Sequence, residues 1–202
     1  MDEDRLARHK ARMQRTKAVV DAAVARAREE RGVVIVITGN GKGKTTSAFG
    51  TLFRALGHGQ RVGLVQFIKG TRTTGEITFL EERFGKDVRY HAMATGFTWE
   101  SQNREADRLA AEAAWEEARG MLRDDGLGLV VLDEITYMLK YRFLDAGEVT
   151  AAIVARPKEQ SVVVTGRAAP PALLEIADTV SEIRDVRHAF RAGVKARAGV
   201  DF

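Results

Sequence analysis

Apolar residues in this chain fall into short continuous runs, separated by longer stretches where they recur every three or four positions. Val33–Thr38, Arg61–Phe67, Leu127–Asp133 and Ser161–Thr165 are runs of the first kind. Their length and flanking glycines or charges predict strands covered on both faces. Val88–Ala94 alternates and predicts a further strand. Helical spacing predicts helices over Thr45–Leu56, Asn103–Arg123, Glu148–Arg156, and from Pro170-Pro171 to about Ala177. Gly57-His58-Gly59 and Pro157 supply the stops. Strands alternating with helices in this way predict an α/β protein with a doubly wound, mostly parallel sheet.

Residues 1–31 read differently. Leu6, Met13, Val20 and Ala27 recur every seven positions with Val24 beside them, and Lys or Arg fill most of the rest. The pattern predicts a charged helix with a thin apolar stripe. A partly disordered tail over residues 1 to about 15 is the alternative. No Pro-, Gly- or Ser-rich linker and no internal repeat divides the remainder. The expected organisation is an N-terminal charged helical arm, 1–31, and one α/β domain, 32–202.

The 202 residues suffice for one domain with a sizeable core. The chain holds no cysteine, which excludes disulfides, thiolate metal sites and cysteine-held iron–sulfur clusters. Any redox chemistry must come from a bound cofactor or a partner. No run approaches the roughly 18 apolar residues of a membrane span, and the N-terminus lacks an apolar signal core. A cytoplasmic location without membrane association is expected. The arm carries nine Lys/Arg against six Asp/Glu and the rest 23 against 22, so the body is nearly neutral. Such a body does not suit a nucleic-acid surface. The basic arm itself reads either as a solvated helix face or as a nucleic-acid contact.

Candidate chemistry begins where the first strand ends. Thr38 is followed by Gly39-Asn40-Gly41-Lys42-Gly43-Lys44-Thr45-Thr46 and then by a predicted helix. Strand, glycine-rich turn and helix N-terminus make a phosphate cradle, with N–H groups and the helix's positive end turned inward. Lys44 adds a charge for the phosphates and a Thr hydroxyl can reach Mg²⁺. The expected nucleotide-binding residues are Gly39 through Thr46, within a fold of the P-loop NTPase (RecA-like) type. The usual pattern would place its first glycine at 38; here Gly39 opens a loop one residue shorter, so the polyphosphate can lie in a different register.

Leu129-Val130-Val131-Leu132 leads into Asp133-Glu134, an apolar strand presenting carboxylates at its C-terminal end. In open α/β sheets that edge faces the ligand, and one carboxylate can hold Mg²⁺ opposite Thr45. Ala94-Thr95-Gly96-Phe97-Thr98-Trp99-Glu100 places two large aromatics outside any regular element. They either pin a loop to the core or wall a flat organic ligand. Trp115 reads as packing. Polar Lys69–Glu76 is either a nucleotide contact or a surface loop. His9, His58, His91 and His188 lack metal-ligand spacing, and no serine sits in a nucleophile elbow.

Taken in order, Gly39–Thr46, Gly57-His58-Gly59, Val65–Gly70, Ala94–Trp99, Val131–Glu134 and the tail His188-Ala189-Phe190, Gly193–Ala196 and Gly199–Phe202 resemble the P-loop type corrinoid adenosyltransferases. The resemblance spans residue 30 to the C-terminus. It implies that corrinoid cobalt, reduced to Co(I), attacks the 5′ carbon of ATP and releases tripolyphosphate, in adenosylcobalamin synthesis or salvage. Lys44 and Thr45 would be catalytic, Thr45 and Glu134 would hold Mg²⁺, and Phe97 and Trp99 would lie beneath the corrin and favour loss of its lower ligand. It also implies a reduced flavoprotein as electron donor and a homodimer. A kinase or ATPase acting at the terminal phosphate is the enzyme alternative.

Overall fold

The structure, a computed structural model, describes residues 3–68, 74–93 and 103–202. The chain divides into two units, Met1–Glu30 and Arg31–Phe202. The first is one helix, α1 (Glu3–Arg26), braced along its length by i,i+4 ion pairs Asp4–Arg8 and Lys17–Asp21.

The second unit is a six-stranded, all-parallel sheet in the order β3-β2-β4-β5-β1-β6. Its strands are β1 (Val34–Thr38), β2 (Val62–Gln66), β3 (Val88–Ala92), β4 (Leu129–Asp133), β5 (Ser161–Thr165) and β6 (Thr179–Glu182). The helices are α2 (Lys44–Gly57), α3 (Gly75–Phe84), α4 (Arg104–Leu122), α5 (Ile135–Lys140), α6 (Ala146–Val154) and α7 (Pro171–Glu175), followed by a 3-10 turn at Ala189–Ala192.

Strand side chains alternate between two cores because successive residues point to opposite faces. Val34, Val36, Val130, Leu132, Val162 and Val164 meet Trp115 and Met121 of α4, Ile135 and Met138 of α5, Ile153 of α6 and Leu173 of α7. On the other face, Ile37, Leu64, Val131 and Val163 meet Phe49 and Leu52 of α2 and Ile77 and Leu80 of α3. Each fully buried Val or Leu of this kind stabilises by roughly 1.5–3 kcal/mol. Helices on both faces explain why β2, β4 and β5 read as continuous apolar runs: both sides of each strand are dry.

The doubly wound parallel sheet expected from the alternation is present. Three elements were not foreseen. Edge strand β6 is exposed throughout and holds one aliphatic residue, Val180, so it carries no apolar run. Helix α3 begins at a glycine and α5 has six residues. Helix α6 starts two residues before the expected Glu148, because the Asp145 side chain accepts from the Glu148 N–H and caps it.

Candidate active site

Because every strand is parallel, the C-terminal ends of β2, β4, β5 and β1 lie side by side on one edge. Gln66, Asp133, Thr165 and Thr38 end these strands, and a cleft of about 790 Å³ opens over that edge. This is within the size range of small-ligand sites and at the position where such sheets bind ligands.

The loop after β1 is shaped by close approach. Gly39 has φ 98°, and a Cβ there would lie 2.4 Å from the Ile183 carbonyl oxygen. That contact belongs to a splint: Ile183 donates its N–H to the Thr38 carbonyl, and Gly41 donates its own to the Ile183 carbonyl. The Gly41 N–H is therefore committed to the chain rather than turned inward with its neighbours. Helix α2 then opens at Gly43, which is left-handed and provides no side-chain cap, and the first turn has no acidic residue. Ser47 donates to the Gly43 carbonyl, while the N–H groups of Lys44, Thr45 and Thr46 find no backbone acceptor among the described residues. An uncapped helix start with a positive dipole end suits an anion.

Lys44 is buried and donates from Nζ to the Gly41 carbonyl at 2.9 Å. Burial lowers its pKa, while Glu134 and Asp133 act in the opposite direction. Asp133, 2% exposed, accepts three hydrogen bonds: Thr45 Oγ1 at 3.0 Å and Thr165 Oγ1 at 2.6 Å to Oδ1, and Gln66 Nε2 at 3.2 Å to Oδ2. Thr165 in turn accepts from the Glu134 N–H at 2.9 Å, so its single proton points to Asp133. Tyr90 OH donates to Gln66 Oε1 at 2.9 Å, which sets the amide so that its nitrogen faces the carboxylate. Burial pushes the Asp133 pKa up and these donors oppose the shift. The tyrosine's own pKa is pushed up to about 12, by burial and by the nearby Glu81 and Asp133.

Glu134 follows in a left-handed conformation, φ 60°, unusual for a residue with a side chain. Burial, then the charge of Asp133, raises its pKa to about 7, against the pull of Lys44 and Arg167. Among the described residues its buried Oε2 has no hydrogen-bond partner. A strained backbone that presents such a carboxylate oxygen on a cleft could hold a cation. Thr45 can join it, because its proton goes to Asp133 and its lone pairs stay free. These oxygen donors fit a hard divalent ion such as Mg²⁺.

Of the residues singled out in the sequence, Asn40 through Thr46, Asp133 and Glu134 line this one cleft, while Gly39 is packed against Ile183 and is not among the lining residues. Phe97 and Trp99 lie outside the described residues, as do positions 69–73. The sequence reading assigned no role to Gln66, Tyr90, Thr165 or Arg167. Nor did it place His188 and residues 199–202 in the cleft, where Asp201 pairs with Lys42 at 2.9 Å. The signal for Thr165 and Arg167 was there: a buried strand ending in Thr-Gly-Arg at the same sheet edge. Trp115 packs in the core, 3% exposed, with Nε1 donating to Glu148. Among the described residues no three His, Cys, Asp or Glu side chains cluster as a metal site.

A parallel sheet with a glycine-rich loop, an uncapped helix start and carboxylates on the adjacent strand defines a P-loop nucleotide-binding protein. The family model "ATP:corrinoid adenosyltransferase BtuR/CobO/CobP" matches residues 30–202. A second, "Cob(I)alamin adenosyltransferase N terminal", matches residues 1–24. The chain is 56% identical to a corrinoid adenosyltransferase of Pseudomonas aeruginosa, covering 96% of both chains. It is 56% identical to corrinoid adenosyltransferase CobA of Salmonella typhimurium and 54% identical to that of Escherichia coli, each over 96% of this chain and 98% of the relative. The chain belongs to the ATP:corrinoid adenosyltransferase family, and its substrates are ATP and a corrinoid.

Proposed function

We propose that this chain transfers the 5′-deoxyadenosyl group of ATP to Co(I) of a corrinoid and releases inorganic tripolyphosphate. The cobalt electron pair forms the Co–C bond, the C5′–O5′ bond breaks, and its electrons leave with the triphosphate. No general base is needed, so the protein's contribution is positioning and stabilisation of charge on the leaving group. Lys44 and the opening amides of α2 supply that charge complement. Thr45 and Glu134 would hold Mg²⁺, which would supply partial neutralisation of the polyphosphate charge. Asp133 orients the Thr45 hydroxyl. Gly39 through Thr46 form the nucleotide cradle, and Phe97 and Trp99, outside the described residues, are the corrinoid contacts of this reading.

The observation that carries this reading is the convergence of Lys44, Thr45 and the unpartnered Glu134 oxygen on one cleft in a chain of this family. The same reading takes residues 1–31 as an arm distinct from the nucleotide-binding domain 32–202. The working form is a cytoplasmic homodimer that receives its electron from a reduced flavoprotein. Among the described residues no helix is long and apolar enough to cross a membrane.

The test is product identity. With ATP, Mg²⁺ and chemically reduced cobalamin, tripolyphosphate and a light-sensitive cobalt–carbon bond are expected. ADP or orthophosphate with unaltered cobalamin would refute the reading.

A further inference from the structure

The turn after β5 is tightly constrained. Gly166 has φ 139°, and a Cβ there would lie 1.9 Å from Thr136 Oγ1 and 3.2 Å from Glu134 Oε2. Two residues on, Ala168 has φ 53°, a left-handed conformation that alanine rarely adopts. Three contacts hold the turn in place: Gly166 donates its N–H to the Ile37 carbonyl, Thr136 Oγ1 donates to the Arg167 carbonyl at 2.8 Å, and Ala169 donates its N–H to Thr38 Oγ1 at 3.3 Å. All three engage backbone groups of the turn, and none uses the Arg167 side chain. Strain maintained by surrounding contacts is a recurrent way of presenting one group to a ligand.

What this turn presents is a guanidinium. Arg167 lines the main cleft with Lys44 and Glu134, and also a smaller adjoining cleft with Asn40 and His188. It is close enough to Lys44 and Glu134 to perturb both electrostatically. The other cations nearby are engaged: Lys42 with Asp201, Lys44 with the Gly41 carbonyl, and Arg191 with Asp185. Among the described residues the Arg167 guanidinium makes no hydrogen bond or ion pair. An exposed arginine on an over-determined turn, facing a cleft built for polyphosphate, has the fork of donors that phosphate oxygens take in pairs.

We propose that Arg167 binds the phosphate farthest from the ribose and thereby reads the length of the phosphate chain. The loop amides cradle one pair of phosphates and Lys44 reaches the adjoining pair; Arg167, on the same cleft as Lys44, adds a second cation at the terminal phosphate. This rests on the reading of ATP's triphosphate as the leaving group and adds the residue that distinguishes a triphosphate from a diphosphate.

The experiment is calorimetric titration of the full chain with inorganic tripolyphosphate and with pyrophosphate, Mg²⁺ present and corrinoid absent. Losing a charge-assisted contact, R167A should bind tripolyphosphate about tenfold more weakly and pyrophosphate less than about twofold more weakly, with R167K between wild type and R167A. The thermal midpoint of ligand-free R167A should match wild type, since backbone groups hold the turn. Equal weakening for both anions, an unchanged tripolyphosphate affinity, or a wild type that does not prefer tripolyphosphate would each overturn the inference. The underlying reading is checked separately by product identity: release of ADP by the wild type would defeat it whatever Arg167 binds.

Discussion

At the scale of single residues, the site is decided by where protons and lone pairs go. Asp133 receives three donors and passes that order on: the Thr45 proton is committed to it, so the hydroxyl has only lone pairs to offer other partners. Glu134, one residue later, has a buried oxygen that finds no hydrogen-bond partner among the described residues. Lys44 stands near both carboxylates and beside the helix-opening amides, where charge on a departing triphosphate would develop. Lys44→Ala is therefore expected to cost about 3 kcal/mol of transition-state stabilisation, on the order of a hundredfold in kcat/KM. Steady-state kinetics with chemically reduced cobalamin would measure it, and near-normal turnover would remove Lys44 from the reaction. Lys44, Thr45 and Glu134 were singled out in the sequence because each sits in a short motif of defined spacing, and all three line the one cleft. Arg167 was not, because it is one of many arginines until the β5 turn is placed beside the loop.

At the scale of elements, non-local side-chain contacts fasten pieces whose own sequences are weak. Gln160, 1% exposed, donates to the carbonyls of Met121, Asp124 and Leu127, and so ties the end of α4 and the approach to β4 to the start of β5. Asp178 does similar work at the sheet edge. It takes a bidentate ion pair from Arg31 at 2.6 and 3.0 Å and the Val34 N–H at 2.8 Å, which holds the entry to β6 beside β1. Those donors, the Arg31 hydrogen bonds first, depress the Asp178 pKa from 3.8 to about 2. A depressed carboxyl contributes stability that is complete above its unfolded pKa and is lost as pH falls through its folded one. Asp178→Asn should thus destabilise by about 1 kcal/mol at neutral pH, allowing for the partial exposure of the pair, and the gap to wild type should close as pH falls from about 4 towards 2. Denaturant unfolding across that range would show it. A constant gap would assign the loss to the shape of the side chain rather than its charge. Edge strand β6 escaped the sequence reading for the same reason it needs this fastening: with one aliphatic residue, its place comes from pairing with β1, not from its own apolar pattern.

At the scale of the whole molecule, both hydrophobic cores are built from residues 34 to 183. A chain lacking residues 1–30 is accordingly expected to unfold cooperatively with its midpoint within about 3 °C of the full chain. Calorimetry of both would decide, and a broad or strongly lowered transition would show that the arm is part of the folded domain.

The sequence alone determined five of the six strands and most of the larger helices, the parallel class of the sheet, the glycine-rich loop at Gly39–Thr46 and the paired carboxylates at Asp133-Glu134. All of these are local: a period, a run or a short motif specifies them without reference to distant chain. Only the tertiary structure decided which strand ends are neighbours. The order β2-β4-β5-β1 brings Gln66, Asp133, Thr165 and the loop onto one edge, turns Tyr90 into a partner of that edge, and sets the Gly166–Ala168 turn against Glu134. Strand order and register arise from packing two apolar faces over a hundred residues of intervening chain, and no local pattern carries that information.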